Sequence, residues 1–288
     1  MITEAELRRR AAQWRVDPMV VDLDYSLGWF LAGLVNSGML ENRVRFKGGT
    51  CLRKCYLADY RFSEDIDFTA TAHLTPDQLI AWINAAARWS QDHDGPAFDI
   101  APPRVEVIQD DYGSESFQAR VYWRGPLRWA GGPRSLRIDI TRDERLLLPS
   151  VPRKLIHPYT DVERVVASTI PCYSLEEILA EKLRAVGGQR RFAISRDLYD
   201  IHQLVKAGVS LPTVAQLLPA KFEAKGLDMS AFNVAYLEGR RKEFEQDWKL
   251  RLSYLVPAMD VDFPVAWTST LEAIEATGNY PAQKTPVT

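Results

Sequence analysis

The chain has 288 residues, 46% of them hydrophobic and 26% charged, with a formal net charge of −2. This is enough apolar material for a full core and two lobes, and the near-neutral balance excludes a globally basic binder, so any polyanion must meet a local patch. Cys51, Cys55 and Cys172 are odd in number and lack Cys-x-x-Cys spacing, which argues against a disulfide framework or a zinc site.

No run of about 18 apolar residues marks a membrane span, and the arginine- and glutamate-rich start does not read as a signal peptide. The expectation is a cytoplasmic protein with no membrane contact. A first helix is predicted over 3–13, with Thr3 as N-cap and Glu6 three residues on. Asp17-Pro18 opens a second helix. Its wide apolar face (Val20, Val21, Tyr25, Leu27, Phe30, Leu31, Leu34) predicts burial, and Gly38 falls near its end.

Val44-Arg45-Phe46 reads as the first strand and leads into Gly48-Gly49. Paired glycines let backbone amides approach a ligand closely. A helix expected from Thr50 adds unpaired N–H groups and a positive dipole end, both suited to phosphate. In that helix Leu52, Tyr56 and Leu57 suit the core, and Cys51 and Cys55 are expected to pack there as small hydrophobes. Arg53 either reaches a phosphate or meets solvent, and Lys54 is expected in solvent.

The second strand is predicted over 66–69. Side chains alternate across a strand, so Asp65 and Asp67 share one face while Ile66 and Phe68 share the other. Two carboxylates side by side repel unless a cation sits between them, and a hard divalent ion such as Mg²⁺ suits oxygen ligands and phosphates. For Asp-x-Asp alone, a solvated strand edge is the alternative. The glycine pair just upstream shifts the balance toward phosphoryl chemistry, which needs both parts.

Thr75-Pro76 starts a helix that runs to about 90 and is broken over 92–96. Strands follow over 104–108, 117–123 and 136–140, the last after a Gly131-Gly132-Pro133 turn. Asp139 lies between Ile138 and Ile140, the pattern of an acid projected from a sheet into a cleft, and Asp99 between Phe98 and Ile100 is its rival. From 120 to 154 nine basic residues face three acids, with Tyr122, Trp123 and Trp129 interleaved. This reads either as a basic surface with stacking platforms for single-stranded RNA or as solvent-facing arginines alternating with core aromatics. A proline-rich stretch over 148–158 marks a candidate boundary, and the chain then reads as helical. Ser174 caps a helix over 175–186 that carries Lys182 and is ended by Gly187-Gly188. A helix from Ser195 carries Asp197, Asp200 and His202, the last two expected to be structural. Helices over 211–223 and 229–251 complete a packing lobe, and the tail after 279 is expected to be loosely ordered.

Lys-Gly-Gly-Thr-x-Leu-Arg-Lys-x-Tyr at 47–56, followed by Arg-Phe-Ser-Glu-Asp-Ile-Asp-Phe at 61–68, resembles the nucleotidyltransferase toxins of the AbiEii/AbiGii type, which include the mycobacterial MenT toxins. These belong to the DNA polymerase β-like nucleotidyltransferase superfamily. Glu-Lys-Leu-Arg-Ala at 181–185 and Arg-Asp-Leu-Tyr-Asp-Ile at 196–201 extend the resemblance. It implies an α+β fold, a polymerase β-like core with a mixed sheet flanked by helices over 1–158. A mostly helical lobe over 159–288 would contribute to the active site.

The resemblance further implies magnesium-dependent transfer of a nucleotide from an NTP to an RNA 3′ end, with tRNA as the expected acceptor and pyrophosphate released. The consequence would be inhibited translation and growth, restrained by an antitoxin encoded nearby. Asp65 and Asp67 would hold two Mg²⁺, with Asp139 as third ligand and activator of the attacking hydroxyl. Lys47, Gly48, Gly49, Thr50, Arg53, Ser63 and Lys182 would hold the nucleotide, and Asp197 would complete the catalytic set. An enzyme of the same fold modifying a protein or small-molecule hydroxyl is one alternative, and a non-catalytic nucleotide-binding regulator is another.

Overall fold

The computed structural model describes residues 1–288 except 39, 41–42, 110–114, 129, 166–168, 253, 257–260 and 279–288. Trp129 and the tail after 279 therefore lie outside the described residues. Two compact units are formed.

The first unit comprises Met1–Glu144, Ser150–Tyr173 and Tyr254–Ala258. Helix α1 (Glu4–Trp14) starts where Thr3 accepts a hydrogen bond from the Glu6 N–H, and α2 (Pro18–Asn36) starts at Asp17, which accepts from the Met19 N–H. Strand β1 (Val44–Lys47) leads into α3 (Gly48–Cys51), which begins two residues before the predicted start and runs on as a π-helical turn over Leu52–Tyr56. Then come β2 (Asp65–Ala70), α4 (Pro76–Asp92), β3 (Arg104–Gln109), β4 (Glu115–Trp123), β5 (Arg134–Thr141), β6 (Val151–Arg153), α5 (Val162–Val165) and β7 (Ile170–Cys172). Among the described residues the strands form one mixed sheet ordered β3-β4-β5-β2-β1-β7-β6, parallel where β2 meets β5 and β1 meets β7.

Alternation decides which face is core. Phe117, Ala119, Val121 and Trp123 of β4 and Leu136, Ile138 and Ile140 of β5 are buried. Helix α4 is set by a complete capping box, Thr75 with Gln78, and buries the stripe Leu79, Trp82, Ile83 and Ala86. Leu34 of α2 and Leu79, Trp82 and Ile83 of α4 meet Phe68, Phe117, Ile138 and Ile140 of the sheet around a small apolar cavity. Each such large side chain contributes roughly 1.5–3 kcal/mol by burial. With Ile66, Phe68, Ile138 and Ile140 committed to this core, Asp65, Asp67, Arg137 and Asp139 are turned to the other face.

Helix α2 is long and apolar enough by composition to cross a membrane, yet most of it is buried within the protein. It also carries Asp22 and Asp24, each only 1% exposed. The sheet unit runs on to Tyr173, past the boundary read at 158, because β7 pairs with β1 and β6 with β7. Within the proline-rich stretch, Pro152 sits in an edge strand, where a missing N–H is tolerated. The β1–β7 pairing also brings Cys172 to Cys51 and Cys55; all three are buried, with sulfurs within 4.8 Å of one another.

The second unit comprises Arg145–Pro149, Ser174–Ser253 and Met259–Thr288. It holds α6 (Leu175–Arg184), α7 (Ser195–Lys206), α8 (Leu211–Glu223), α9 (Val234–Gly239), α10 (Arg241–Asp247) and α11 (Phe263–Gly278). The helix predicted over 229–251 is divided, because Asn233 accepts from the Tyr236 N–H and so caps a new start. Buried Lys221 is matched by Glu177 at 2.6 Å and Glu181 at 3.1 Å. His202 is hydrogen-bonded through Nδ1 to Ser269 Oγ at 2.8 Å.

Candidate active site

The site begins where β1 ends. At Gly48 the backbone has φ +77°, a region that L side chains rarely adopt. A Cβ at this position would collide with Asp67 Oδ2 and stand 3.0 Å from its Cγ. Gly48 is thus required twice, by its dihedral and by the carboxylate pressed against it. A Cβ on Gly49 would lie 2.6 Å from the Arg61 guanidinium and 3.1 Å from Ser63 Oγ. The start of α3 receives no hydrogen bond from a capping side chain, so its first amides lack that partner, the condition under which a helix start takes an anion.

The strand register assembles the acids. Asp67 of β2 lies opposite Asp139 of β5 on one side and Lys47 of β1 on the other, and Asp65 lies opposite Arg137. Paired residues project from the same face, so Asp65, Asp67 and Asp139 form one carboxylate group beside the Gly48 turn. Arg137 clasps two of them, with Nη2 2.6 Å from Asp65 Oδ2 and Nε 3.0 Å from Asp139 Oδ2. Gln118 of β4 donates to Asp139 Oδ1 at 3.1 Å. Burial pushes the Asp139 carboxyl up, with the Asp67 charge adding to it, and the Arg137 charge and the Gln118 hydrogen bond only partly offset this. Burial alone would lower the Arg137 guanidinium, but Asp65, Asp139 and Asp67 outweigh it and hold the group charged. Three carboxylates on one half-open face, two of them drawn onto a guanidinium, are a donor set that suits a hard divalent cation.

Other expected residues are placed differently. Thr50 is buried, and its hydroxyl donates to the Asp65 carbonyl, so that side chain ties α3 to the start of β2. Arg53 meets neither phosphate nor solvent. It is buried, with Nε 2.6 Å from Asp24 of α2 and its guanidinium 3.6 Å above the Phe62 ring. Lys54, expected in solvent, is 1% exposed and lies 2.8 Å from the same Asp24 carboxylate. Burial raises the Asp24 carboxyl, but Arg53 and Lys54 together hold it well below the usual range. Asp99 is exposed and outside the sheet, so the register favours Asp139 as the neighbour of Asp67.

In the helical unit, Lys182 is 2.6 Å from Asp197 and 2.9 Å from Asp200, and Arg190 lies 3.3 Å from Asp197. Burial raises the Asp197 carboxyl, but Arg190 and Lys182 outweigh it and hold it ionised. Of the basic–aromatic stretch, Trp123 is core and Tyr122 half-buried on the acid-bearing face. Sequence reasoning reaches Arg120 and Arg137 only as members of the basic stretch over 120–154, and does not reach Arg104 or Gln118 as site residues. Arg104, Arg120, Arg137 and Asp65 are successive partners across four strands and so form a row on that face. The signal was the period-two position of each, legible only once the pairing is known.

Comparison with known proteins bears on the family and the fold. No curated protein matches the chain by sequence. MenT4, a nucleotidyltransferase toxin from Mycobacterium tuberculosis H37Rv, shares the fold with a TM-score of 0.71 at 24% identity, over 98% of this chain and 91% of its own. JHP933 from Helicobacter pylori is similar with a TM-score of 0.54 at 16% identity, over 91% of this chain and 93% of its own. The family model of the nucleotidyl transferase AbiEii toxin of type IV toxin–antitoxin systems matches residues 29–273. With its glycine turn and acidic strand pair both inside that match, the chain belongs to the AbiEii nucleotidyltransferase toxin family.

Proposed function

We propose that the protein transfers a nucleotide from a nucleoside triphosphate to the 3′ end of an RNA, tRNA being the expected acceptor, and thereby inhibits translation. The observation that carries this reading is the in-register group Asp65, Asp67 and Asp139 against the Gly48 turn. The hydroxyl oxygen attacks the α-phosphorus, and the bond to the bridging oxygen breaks. Pyrophosphate leaves, and the hydroxyl proton passes to Asp139. Asp65 and Asp67, with Asp139, would hold divalent magnesium, which would supply charge neutralisation of the attacking and leaving oxygens. The chain's own part is positioning and charge. The backbone of Gly48, Gly49 and Thr50 and the hydroxyl of Ser63 would cradle the triphosphate, with Lys47 at the strand end. The family resemblance would add Lys182 as a phosphate ligand and Asp197 to the catalytic set.

An RNA acceptor is supported by the row Arg104, Arg120 and Arg137. Like charges directly across strands destabilise a sheet, and Arg104 and Arg120 are exposed neighbours. A polyanionic ligand relieves that repulsion. A dedicated antitoxin partner is expected from the family.

The test incubates the protein with Mg²⁺, each labelled nucleoside triphosphate and total tRNA. Label on tRNA supports the proposal. Label only on protein or on a small molecule would redirect it to another hydroxyl, and binding without transfer would end the enzymatic reading. Asp67→Asn should remove transfer while leaving the thermal unfolding curve in place.

A further inference from the structure

Where β2 meets β5, the acid-bearing face sets Asp65 opposite Arg137 and Asp67 opposite Asp139, so one of these four groups is positive. Arg137 sits two residues before Asp139 on the same strand face, directly across from Asp65. Its guanidinium reaches both neighbours with separate nitrogens, Nη2 to Asp65 Oδ2 at 2.6 Å and Nε to Asp139 Oδ2 at 3.0 Å. These are short, charge-assisted contacts. They engage one oxygen of each carboxylate, while Gln118 takes the other oxygen of Asp139. The side chain is 43% exposed, on a long stem that can leave without disturbing the core.

We propose that Arg137 is a built-in counter-ion for the acid group, competing with the divalent cation for Asp65 and Asp139 and giving way when the cation enters. This rests on the metal-dependent reading above and adds a residue to it. Three carboxylates across adjacent strands repel one another, and a single guanidinium spanning two of them holds the strands in register without metal. A cation drawing on Asp65 and Asp139 meets carboxylates whose charge Arg137 already offsets, and competes with it for one oxygen of each. The intrinsic affinity of the acids is therefore masked, and metal binding is weak until other ligands join. Once released, the guanidinium remains on the same face as Arg120, its cross-strand neighbour. There it adds to the positive row that faces the substrates.

The experiment titrates Mn²⁺ alone into wild-type protein, Arg137→Gln and Asp67→Asn, reading the free-ion signal by electron paramagnetic resonance without nucleotide. A parallel set of thermal unfolding curves is taken with and without Mg²⁺. Arg137→Gln should bind Mn²⁺ roughly tenfold more tightly than wild type, the order expected for removing one unit charge a few ångströms from the ion in a half-exposed site. Without metal it should unfold at a lower temperature than wild type, and Mg²⁺ should restore more of the difference. Arg137→Lys, which keeps the charge but cannot bridge two acids, should fall between them. Equal or weaker Mn²⁺ affinity in Arg137→Gln, with Asp67→Asn defective, overturns the counter-ion role and leaves the metal site standing. Failure of wild type and Arg137→Gln alike to bind Mn²⁺ overturns the metal reading, and the counter-ion role with it.

Discussion

Replacing Gly48 by alanine separates the role of the turn from the stability of the fold. Two penalties apply at this position. The first is the left-handed backbone, φ +77°, which a side chain opposes by roughly 1–2 kcal/mol. The second is steric, since the new methyl occupies the place of Asp67 Oδ2 and lies 3.1 Å from its Cβ. The carboxylate can rotate away, so the second penalty falls on the site rather than on the core. Gly38 supplies the control. Its φ is +68°, yet a Cβ there meets nothing within 4 Å. Gly38→Ala should therefore lose about 1–2 kcal/mol of stability from the same backbone effect and keep full transfer. Gly48→Ala should lose a similar amount in urea denaturation but at least about 100-fold in transfer, the scale seen when a catalytic group is displaced by about an ångström. The assay measures labelled nucleotide transfer at a temperature where both variants are folded. If Gly48→Ala transfers within threefold of wild type, the carboxylate does not need the place the turn leaves for it. If Gly38→Ala loses transfer equally, stability and not geometry explains the loss.

Two further outcomes concern the supports beneath the site. Asp24→Asn leaves Arg53 and Lys54 buried without their shared carboxylate, and removing one partner from such a cluster should lower stability by about 3–5 kcal/mol; a loss below about 1 kcal/mol in urea denaturation at pH 7 would contradict it. Asp22 behaves oppositely: burial pushes its carboxyl up to about 6, against the Leu127 N–H and Arg134. The folded protein then holds a proton that the unfolded chain has released, so stability falls as pH rises from about 4 to about 6, by up to about 3 kcal/mol from this group. Denaturation midpoints across that range should show a slope in wild type that Asp22→Asn lacks, and parallel profiles for the two proteins would refute it.

Much of the sheet unit was legible because its strands are amphipathic with period two. Ile66 and Phe68 on one side and Asp65 and Asp67 on the other specify a face without knowledge of neighbours. The same alternation around Asp139 identified a third acid. What the sequence withheld was that β5 runs parallel beside β2, so that Asp139 lands opposite Asp67 and not elsewhere. Strand order depends on long-range pairing, and no local pattern encodes it. Arg137 stayed hidden for this reason, since its importance comes from lying across from Asp65. In the helical unit the period of 3.6 found the long elements α6, α7 and α8. It missed the division within 229–251, where short capped turns resemble one continuous mixed-charge helix.

Arg53 and Lys54 show a different failure, and the remedy lies in charge matching rather than periodicity. Both follow the glycine cradle within a basic motif, so phosphate or solvent were the natural partners. Yet α2 places Asp22 and Asp24 in an otherwise apolar helix, and a buried carboxylate must find a cation or a proton. Asp24 finds two cations, Arg53 and Lys54, whose turn is π-helical and so out of phase with a regular helix from Thr50. Asp22 finds Arg134 at 3.3 Å, and burial still pushes its carboxyl up to about 6. The basic residues of the motif are thus divided by function. Lys47 stands at the cradle, whereas Arg53 and Lys54 bind the helix that carries the cradle onto α2. A motif shared across a family can be retained for either reason. In this chain the acids of α2, not the motif itself, distinguish them.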